Sequence, residues 1–381
     1  MAEVATPERP GSSRQTTAAA LEFRHVSKRY PGADQPAISD LSFEVPAGEI
    51  CVLVGPSGCG KTTAMRMVNR MIDISDGDIL LDNQSVRERN PAELRRHIGY
   101  VIQQIGLFPH VSIGDNIATV PRLLGWPRKR VQARVDELLE LISLPPETRD
   151  RYPAEISGGQ RQRVGVARAL AADPPLMLMD EPFGAIDPIT RDRLQNEFLR
   201  LQEEIRKTIV FVTHDIDEAI KMGDRIAIMR EGGVLAQYDT PERILADPAD
   251  EFVARFVGLD RGLKRLALSQ LSDVSLEKAD CLPDGSSARG HADRSRVVFV
   301  DDRGRPVGRL AEDGEPEPVT VVGHPDTSLR DALSMIMSDS SRPLVVVDAD
   351  GAVAGLAPIE LIAGELGRAD GALEPGGNGH R

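Results

Sequence analysis

The residues Gly55-Pro56-Ser57-Gly58-Cys59-Gly60-Lys61-Thr62-Thr63 fit the spacing G-x-x-x-x-G-K-[S/T]. Glycines at that spacing let the backbone curl so that successive amide N–H groups point inward onto phosphate oxygens, and a helix following the loop adds its positive N-terminal end. Lys61 would then reach a β- and γ-phosphate as a point charge, and the Thr62 hydroxyl would coordinate Mg2+. A glycine-rich strand-to-helix turn would account for the glycines but leave Lys61-Thr62 unexplained. A second group, Leu176-Met177-Leu178-Met179-Asp180-Glu181, is an apolar run ending in two carboxylates. Adjacent side chains of an extended strand point oppositely, so the two acids should differ in role. Asp180 would hold Mg2+ through water, and Glu181 would polarise an attacking water as general base. Alone, these acids would equally suit a solvated loop start after a buried strand; beside a phosphate loop the catalytic reading is preferred.

Such side chains need strands that end together. Ile50–Val54, Leu176–Asp180 and Ile209–Thr213 are apolar runs ending at polar clusters, as buried parallel strands do. Residues 21–258 alternate strand-like and amphipathic helical stretches, which predicts an α/β domain. Val111 to Ala172 is mostly helical in pattern, with Val131–Ile142 at helical spacing and Pro145-Pro146 as a stop, so a helical subdomain is expected at about 104–172. Beyond Asp260, Val297–Asp301 and Leu344–Asp348 repeat at an offset of 47 residues, with Gly304 on Gly351 and Gly308 on Gly355. Helical segments, Leu263–Ser272 and Leu329–Ser338, precede both copies, so residues 262–366 read as a duplicated helix and strand–turn–strand unit. Cys281–Ser295 reads as a polar loop, and residues 1–20 and 369–381 read as a disordered and a flexible tail.

With 381 residues, two or three domains are expected. The 41% hydrophobic and 28% charged residues are ordinary globular usage, and a net charge of −13 argues against a nucleic-acid partner. No apolar run approaches the roughly 18 to 20 residues of a membrane span, and the start MAEVATPERPGSSRQTTAAA has no apolar signal core. The chain is therefore expected neither to cross a membrane nor to leave the cytoplasm. Three cysteines without C-x-x-C spacing encode neither a disulfide framework nor a zinc site.

Ile156-Ser157-Gly158-Gly159-Gln160 resembles the signature of the ATP-binding cassette ATPases of transporters, with Ile where Leu is usual. Arg161 to Ala171 reads as a helix, so Ser157 and the Gly159 amide would sit at an anion-binding helix tip. The resemblance covers residues 21–258 and implies a P-loop NTPase fold that takes ATP and Mg2+. It further implies a homodimer in which this tip meets the γ-phosphate bound by the other subunit. Gln103, after the strand Ile98–Ile102, resembles the glutamine that contacts Mg2+ and the attacking water and links the site to a transmembrane partner. His214 resembles the switch histidine on the γ-phosphate, Tyr30 the aromatic residue on adenine, and Gly184-Ala185-Ile186-Asp187 the loop after the catalytic glutamate, with Gly184 for the commoner Ser. Glu181, His214 and Gln103 are thus the implied catalytic residues, and Thr62, Gln103 and Asp180 the implied metal contacts. Nucleotide would be held by Tyr30, by Gly55, Ser57, Gly58, Cys59, Gly60, Lys61, Thr62 and Thr63, and by Ser157, Gly158, Gly159 and Gln160. Lys129-Arg130, Arg161, Arg163 and Arg168 are expected as solvated helix faces or ion pairs, Trp126 near surface loops, and Cys59 as a tolerated small residue.

Residues 262–366 look like a pair of CBS motifs, giving a small α+β regulatory module. With the stretches Gly223–Met229 and Phe252–Gly258, this resembles the ATPase of glycine betaine, carnitine, choline or proline uptake systems. The resemblance implies a separate integral-membrane permease, an extracytoplasmic solute-binding protein, and a place on the cytoplasmic face of the membrane. CBS motifs that bind adenosyl ligands usually carry a hydroxyl and a carboxylate after the glycine. Here Gly355 is followed by Pro358 and Leu361, and Gly308 by Ala311 and Gly314. Packing, dimerisation or sensing of ionic strength is therefore expected over nucleotide binding. Competing readings are an importer ATPase for another small polar solute such as an amino acid, and a soluble cassette ATPase of translation, repair or cofactor assembly; the second cassette or long coiled-coil insert of the translation and repair types is not seen.

Overall fold

Three runs that are apolar at nearly every position become neighbouring strands whose residues are buried on both faces, because helices cover a parallel sheet above and below. In the computed structural model, which describes residues 18–102, 106–184, 186–286, 288, 293–310, 316–339 and 342–367, the chain divides into two compact units at Pro241/Glu242. Gln103, Ala185, Ala311, Gly314, most of the first tail and the whole of the second lie outside the described residues. Ala19 differs from the tail expectation: it is fully buried, and its N–H donates to the Pro175 carbonyl (3.2 Å).

Among the described residues, the first unit holds ten strands: β1 (Leu21–Lys28), β2 (Ile38–Val45), β3 (Ile50–Val54), β4 (Asp76–Leu81), β5 (Gln84–Ser85), β6 (Ile98–Val101), β7 (Leu176–Asp180), β8 (Thr208–Val212), β9 (Arg225–Arg230) and β10 (Val234–Asp239). Its helices are α1 (Lys61–Val68), α2 (Pro91–Arg96), α3 (Ile113–Leu123), α4 (Arg128–Leu141), α5 (Gly158–Leu170), α6 (Pro188–Ile205) and α7 (Ile216–Met222). The main sheet has the order β10-β9-β3-β8-β7-β6, parallel except for the edge strand β10. A second, antiparallel sheet runs β2-β1-β4-β5. One core cluster joins them, with Phe23 stacked on Phe43 at 4.6 Å between ring centroids. Between β6 and β7 the chain makes α3, α4 and α5, the helical insertion expected from the pattern.

The second unit begins at Glu242, before the boundary expected near residue 258. The helix α8 (Pro241–Ala246) spans the division, followed by α9 (Glu251–Val257) and α10 (Arg261–Leu266). One sheet is β11 (Asp280–Pro283), β12 (Val297–Val300), β13 (Pro306–Leu310) and β14 (Pro316–Pro318); the other is β15 (Val322–Gly323), β16 (Leu344–Val347) and β17 (Val353–Ala357), with α11 (Leu329–Ser338) and α12 (Ile359–Gly367). The repeated strand–turn–strand units are the hairpins β12–β13 and β16–β17. Each turn needs its glycine, because Gly304 and Gly351 have φ of +76° and +81°, where other residues are strained. The two tips touch: Val353 N–H donates to the Gly304 carbonyl at 3.0 Å. Two expectations change. The helix expected over Leu263–Ser272 ends at Leu266, and Cys281 lies in β11, which pairs in parallel with β12, not in a loop.

Candidate functional site

Because β8 lies between β3 and β7, the segments leaving these three strands emerge side by side at the carboxyl end of the sheet, where open α/β sheets bind ligands. The phosphate loop leaves β3 there and enters α1. Two of its glycines are dictated by contact: a Cβ on Gly55 (φ +153°) would lie 2.2 Å from the Met229 carbonyl oxygen, and one on Gly60 (φ +99°) 2.6 Å from that of Ala37. No side chain caps the first turn of α1, so the amides that have no intrahelical partner remain available to an anion. Lys61 is only 7% exposed, and its Nζ donates to the carbonyls of Gly55 (2.7 Å) and Pro56 (3.0 Å) and sits 3.6 Å from the buried Cys59 Sγ. Cys59 is thus a packed part of the loop. Ser57 and Gly58 are exposed; Thr62 and Thr63 are half-buried.

Thr62 Oγ1 lies 3.2 Å from Asp180 Oδ1. Hydroxyl and carboxylate therefore converge as a hard-cation donor set requires. Burial pushes the Asp180 carboxyl above the usual carboxylate range, with the hydrogen bond from Thr62 pulling it partly back. The neighbouring Glu181 has φ +44°, its N–H donates to the Val212 carbonyl (2.9 Å), and its Oε1 lies 3.0 Å from His214 Nδ1. The two acids do part company, but through this left-handed turn at Glu181 more than through strand alternation. The structure thus brings Lys61, Thr62, Asp180, Glu181 and His214 to one sheet end. Tyr30 is 39% exposed, with Lys28 Nζ 5.1 Å from its ring centroid. Its loop closes where Ala37 N–H meets the Lys28 carbonyl (2.8 Å), against Gly60.

The signature begins a helix three residues earlier than expected: α5 starts at Gly158 with Ser157 as N-cap. Ser157 and Gln160 form a reciprocal capping box, with Ser157 N–H on Gln160 Oε1 (2.9 Å) and Gln160 N–H on Ser157 Oγ (3.3 Å). No hydrogen bond among the described residues joins this tip to the phosphate loop of its own chain. Neither glycine is needed inside the chain: a Cβ on Gly158 would meet nothing nearer than 3.8 Å and one on Gly159 nothing nearer than 3.7 Å. The arginines of α5 are neither simply solvated nor chiefly ion-paired. Arg161 donates to the Ile156 carbonyl (2.8 Å), Arg163 to that of Ile142 (3.1 Å) and Arg168 to that of Gly106 (2.6 Å). Arg130 lies over Trp126, 3.6 Å from the ring centroid.

Sequence reasoning missed the supports. Gln162 of α5 donates its Nε2 to the carbonyl of Pro182, next to Glu181. On α6, Arg191 donates to the Ile186 carbonyl (3.0 Å) and approaches Asp215, which caps α7 just after His214. One turn on, Gln195 Nε2 donates to Glu218 (3.0 Å), whose carboxyl burial pushes up. Nothing in the sequence singled out this link, because Glu218 is one of three charged residues in the seven-residue α7.

A family model described as ABC transporter matches residues 38–184. The chain is 43% identical over 367 residues to an osmoprotectant import ATP-binding protein of Salmonella typhimurium, covering 91% of this chain and 96% of that protein. It is 44% identical to a choline transport ATP-binding protein of Bacillus subtilis, over 90% of this chain and 79% of that one. Among solved structures, a dimeric post-hydrolysis state of an ATP-binding cassette bound to ADP and Pi superposes with a TM-score of 0.51 at 31% identity, covering 58% of this chain and 98% of the other. With the phosphate loop, paired carboxylates and signature helix arranged as above, the chain belongs to the ABC transporter family, as an ATPase.

Proposed function

We propose that the chain powers import of a quaternary-amine compatible solute of the glycine betaine, carnitine, choline or proline type, as a homodimer beneath a separate membrane permease on the cytoplasmic face. The observation carrying the solute class is the 43% identity to the Salmonella osmoprotectant protein, which runs through both units, not the nucleotide site alone. No helix among the described residues is long and apolar enough to cross a membrane, so the translocation path would come from partner chains. A solute-binding protein outside the membrane would complete the system.

ATP would be held by the uncapped α1 tip, by Lys61 turning from its own loop carbonyls to the phosphates, and by Tyr30 on the base. The Thr62 and Asp180 oxygens fit Mg2+, to which Gln103 would add a contact; the ion would supply charge neutralisation at the phosphates. Glu181 would take the proton of the attacking water, its carboxylate oriented by His214. The partner's γ-phosphate would meet Ser157, Gly158 and Gly159, and the room for a Cβ at both glycines supports this: what needs them bare lies outside the subunit. Closing would be a population shift driven by phosphate contacts that hydrolysis removes. For the second unit we infer packing, dimerisation or ionic-strength sensing, since Pro358 and Leu361 offer no ribose contacts.

The test is ATP hydrolysis by the reconstituted complex with betaine, choline, carnitine and proline at varied salt. Stimulation by one of these supports the reading, and stimulation by a different solute class alone refutes it.

A further inference from the structure

His214 is exposed, so packing does not fix its ring, yet its Nδ1 lies 3.0 Å from Glu181 Oε1. Its place is set by the backbone on either side, and the two segments that carry this pair are tied together twice. At one end the Glu181 N–H donates to the Val212 carbonyl at 2.9 Å, two residues before His214. At the other end stands Arg191, near the start of α6. Its Nη2 donates to the Ile186 carbonyl at 3.0 Å, and its Nη1 lies 3.9 Å from Oδ2 of Asp215, the residue after His214. Asp215 can serve both sides because its other oxygen, Oδ1, takes the Asp217 N–H (2.9 Å) and the Glu218 N–H (3.3 Å) at the start of α7. Two hydrogen bonds, Gly184 N–H to the Glu181 carbonyl (3.1 Å) and Ile186 N–H to the Phe183 carbonyl (3.3 Å), link Ile186 back towards the catalytic glutamate. Arg191 Nε is buried without a partner, so the guanidinium is oriented by its two Nη groups alone.

We propose that Arg191 is a positioning residue for ATP hydrolysis, a fork that joins the loop after Glu181 to the segment carrying His214 and so keeps the imidazole on the carboxylate. A guanidinium suits this task because it donates in two directions at once, to a carbonyl and to a carboxylate, whereas a lysine ammonium acts as a point charge. One turn further along α6, Gln195 on Glu218 holds α7 to the same helix, so the segment that Arg191 grips is itself anchored. No hydrogen bond or ion pair among the described residues joins Arg191 to the phosphate loop, so it acts on the chemical step and not on ATP binding. The inference rests on the reading of Glu181 as general base with His214 as its orienting partner.

The test is steady-state ATP hydrolysis by the full chain, with the melting temperature measured beside it. Arg191→Met keeps the stem and removes both ties. Its kcat should fall about 10-fold, the scale of a small misplacement of a reacting group, while the KM for ATP stays within about 2-fold. Arg191→Lys keeps the charge without the fork, and its kcat should fall at least about 3-fold at an unchanged melting temperature, which keeps the test valid if the methionine variant folds poorly. Asp215→Asn still caps α7 but loses the charge facing Arg191. Its kcat should fall as well, and the double variant with Arg191→Met should be no slower than Arg191→Met alone. A crystal of Arg191→Met should show His214 Nδ1 beyond hydrogen-bond reach of Glu181. Parent kcat in a folded Arg191→Met or Arg191→Lys, a loss confined to KM, losses that multiply in the double variant, or an unaltered His214–Glu181 contact in the crystal would each overturn the proposal. Glu181→Gln turning over at the parent rate would instead overturn the general-base reading beneath it, whatever Arg191 does.

Discussion

Glu181 leaves its strand through a left-handed turn, and this sets its carboxylate beside His214 while Asp180 stays with Thr62. Glu181→Gln keeps the size and the turn but removes the proton acceptor. Phosphate release should fall by at least about 100-fold, the usual share of a general base, while ATP still binds and favours dimers in size-exclusion chromatography. Turnover at the parent rate would remove Glu181 from that role. Asp180 and Glu218 carry a pH signature. Burial raises both carboxyls above their ordinary values, so the folded chain holds protons that the unfolded chain has released. This contribution to stability is present below about pH 4 and is lost as pH rises through the raised values. Urea unfolding of the nucleotide-free protein should show that loss shrinking in Glu218→Gln. Asp180, Glu181 and His214 were legible from motif spacing, whereas Glu218, which belongs to no motif, was not. The turn at Glu181 was not, because a positive φ at a non-glycine residue leaves no trace in residue type.

Elements that are apolar along their whole length were the most readable: β3 and β7 fall where their runs of Ile, Val, Leu and Met begin and end. The signature helix was placed late because Gly158-Gly159 look like helix breakers, whereas the Ser157–Gln160 box starts the helix in front of them. Strand β11 was hidden because Asp280-Cys281-Leu282-Pro283 has no periodic pattern and depends on its parallel neighbour β12. The glycines of the two motifs should behave oppositely. Gly60→Ala forces a Cβ to 2.6 Å from the Ala37 carbonyl at a strained φ, so it should destabilise the fold by about 1–3 kcal/mol and weaken ATP binding. Gly159→Ala has room and should leave the melting temperature equal or higher, yet reduce dimer-dependent turnover. A melting scan beside an ATPase assay separates the two.

At the scale of the molecule, the duplication was visible because both hairpins keep a glycine at the turn, while the division at Pro241 was not, since no change of composition marks it. If each active centre is shared between protomers, two defects on different protomers should complement. Lys61→Ala spoils one phosphate loop and Ser157→Arg one helix tip, so each variant alone should be inactive. Their mixture should recover turnover, since the mixed dimer retains one intact composite site; no recovery on mixing would argue for sites completed within one chain. The guanidinium of Arg168, which burial makes less basic, grips the carbonyl of Gly106 from the far end of the helix that Ser157 begins. A displacement of Gly106 would therefore load α5 at the end opposite Ser157.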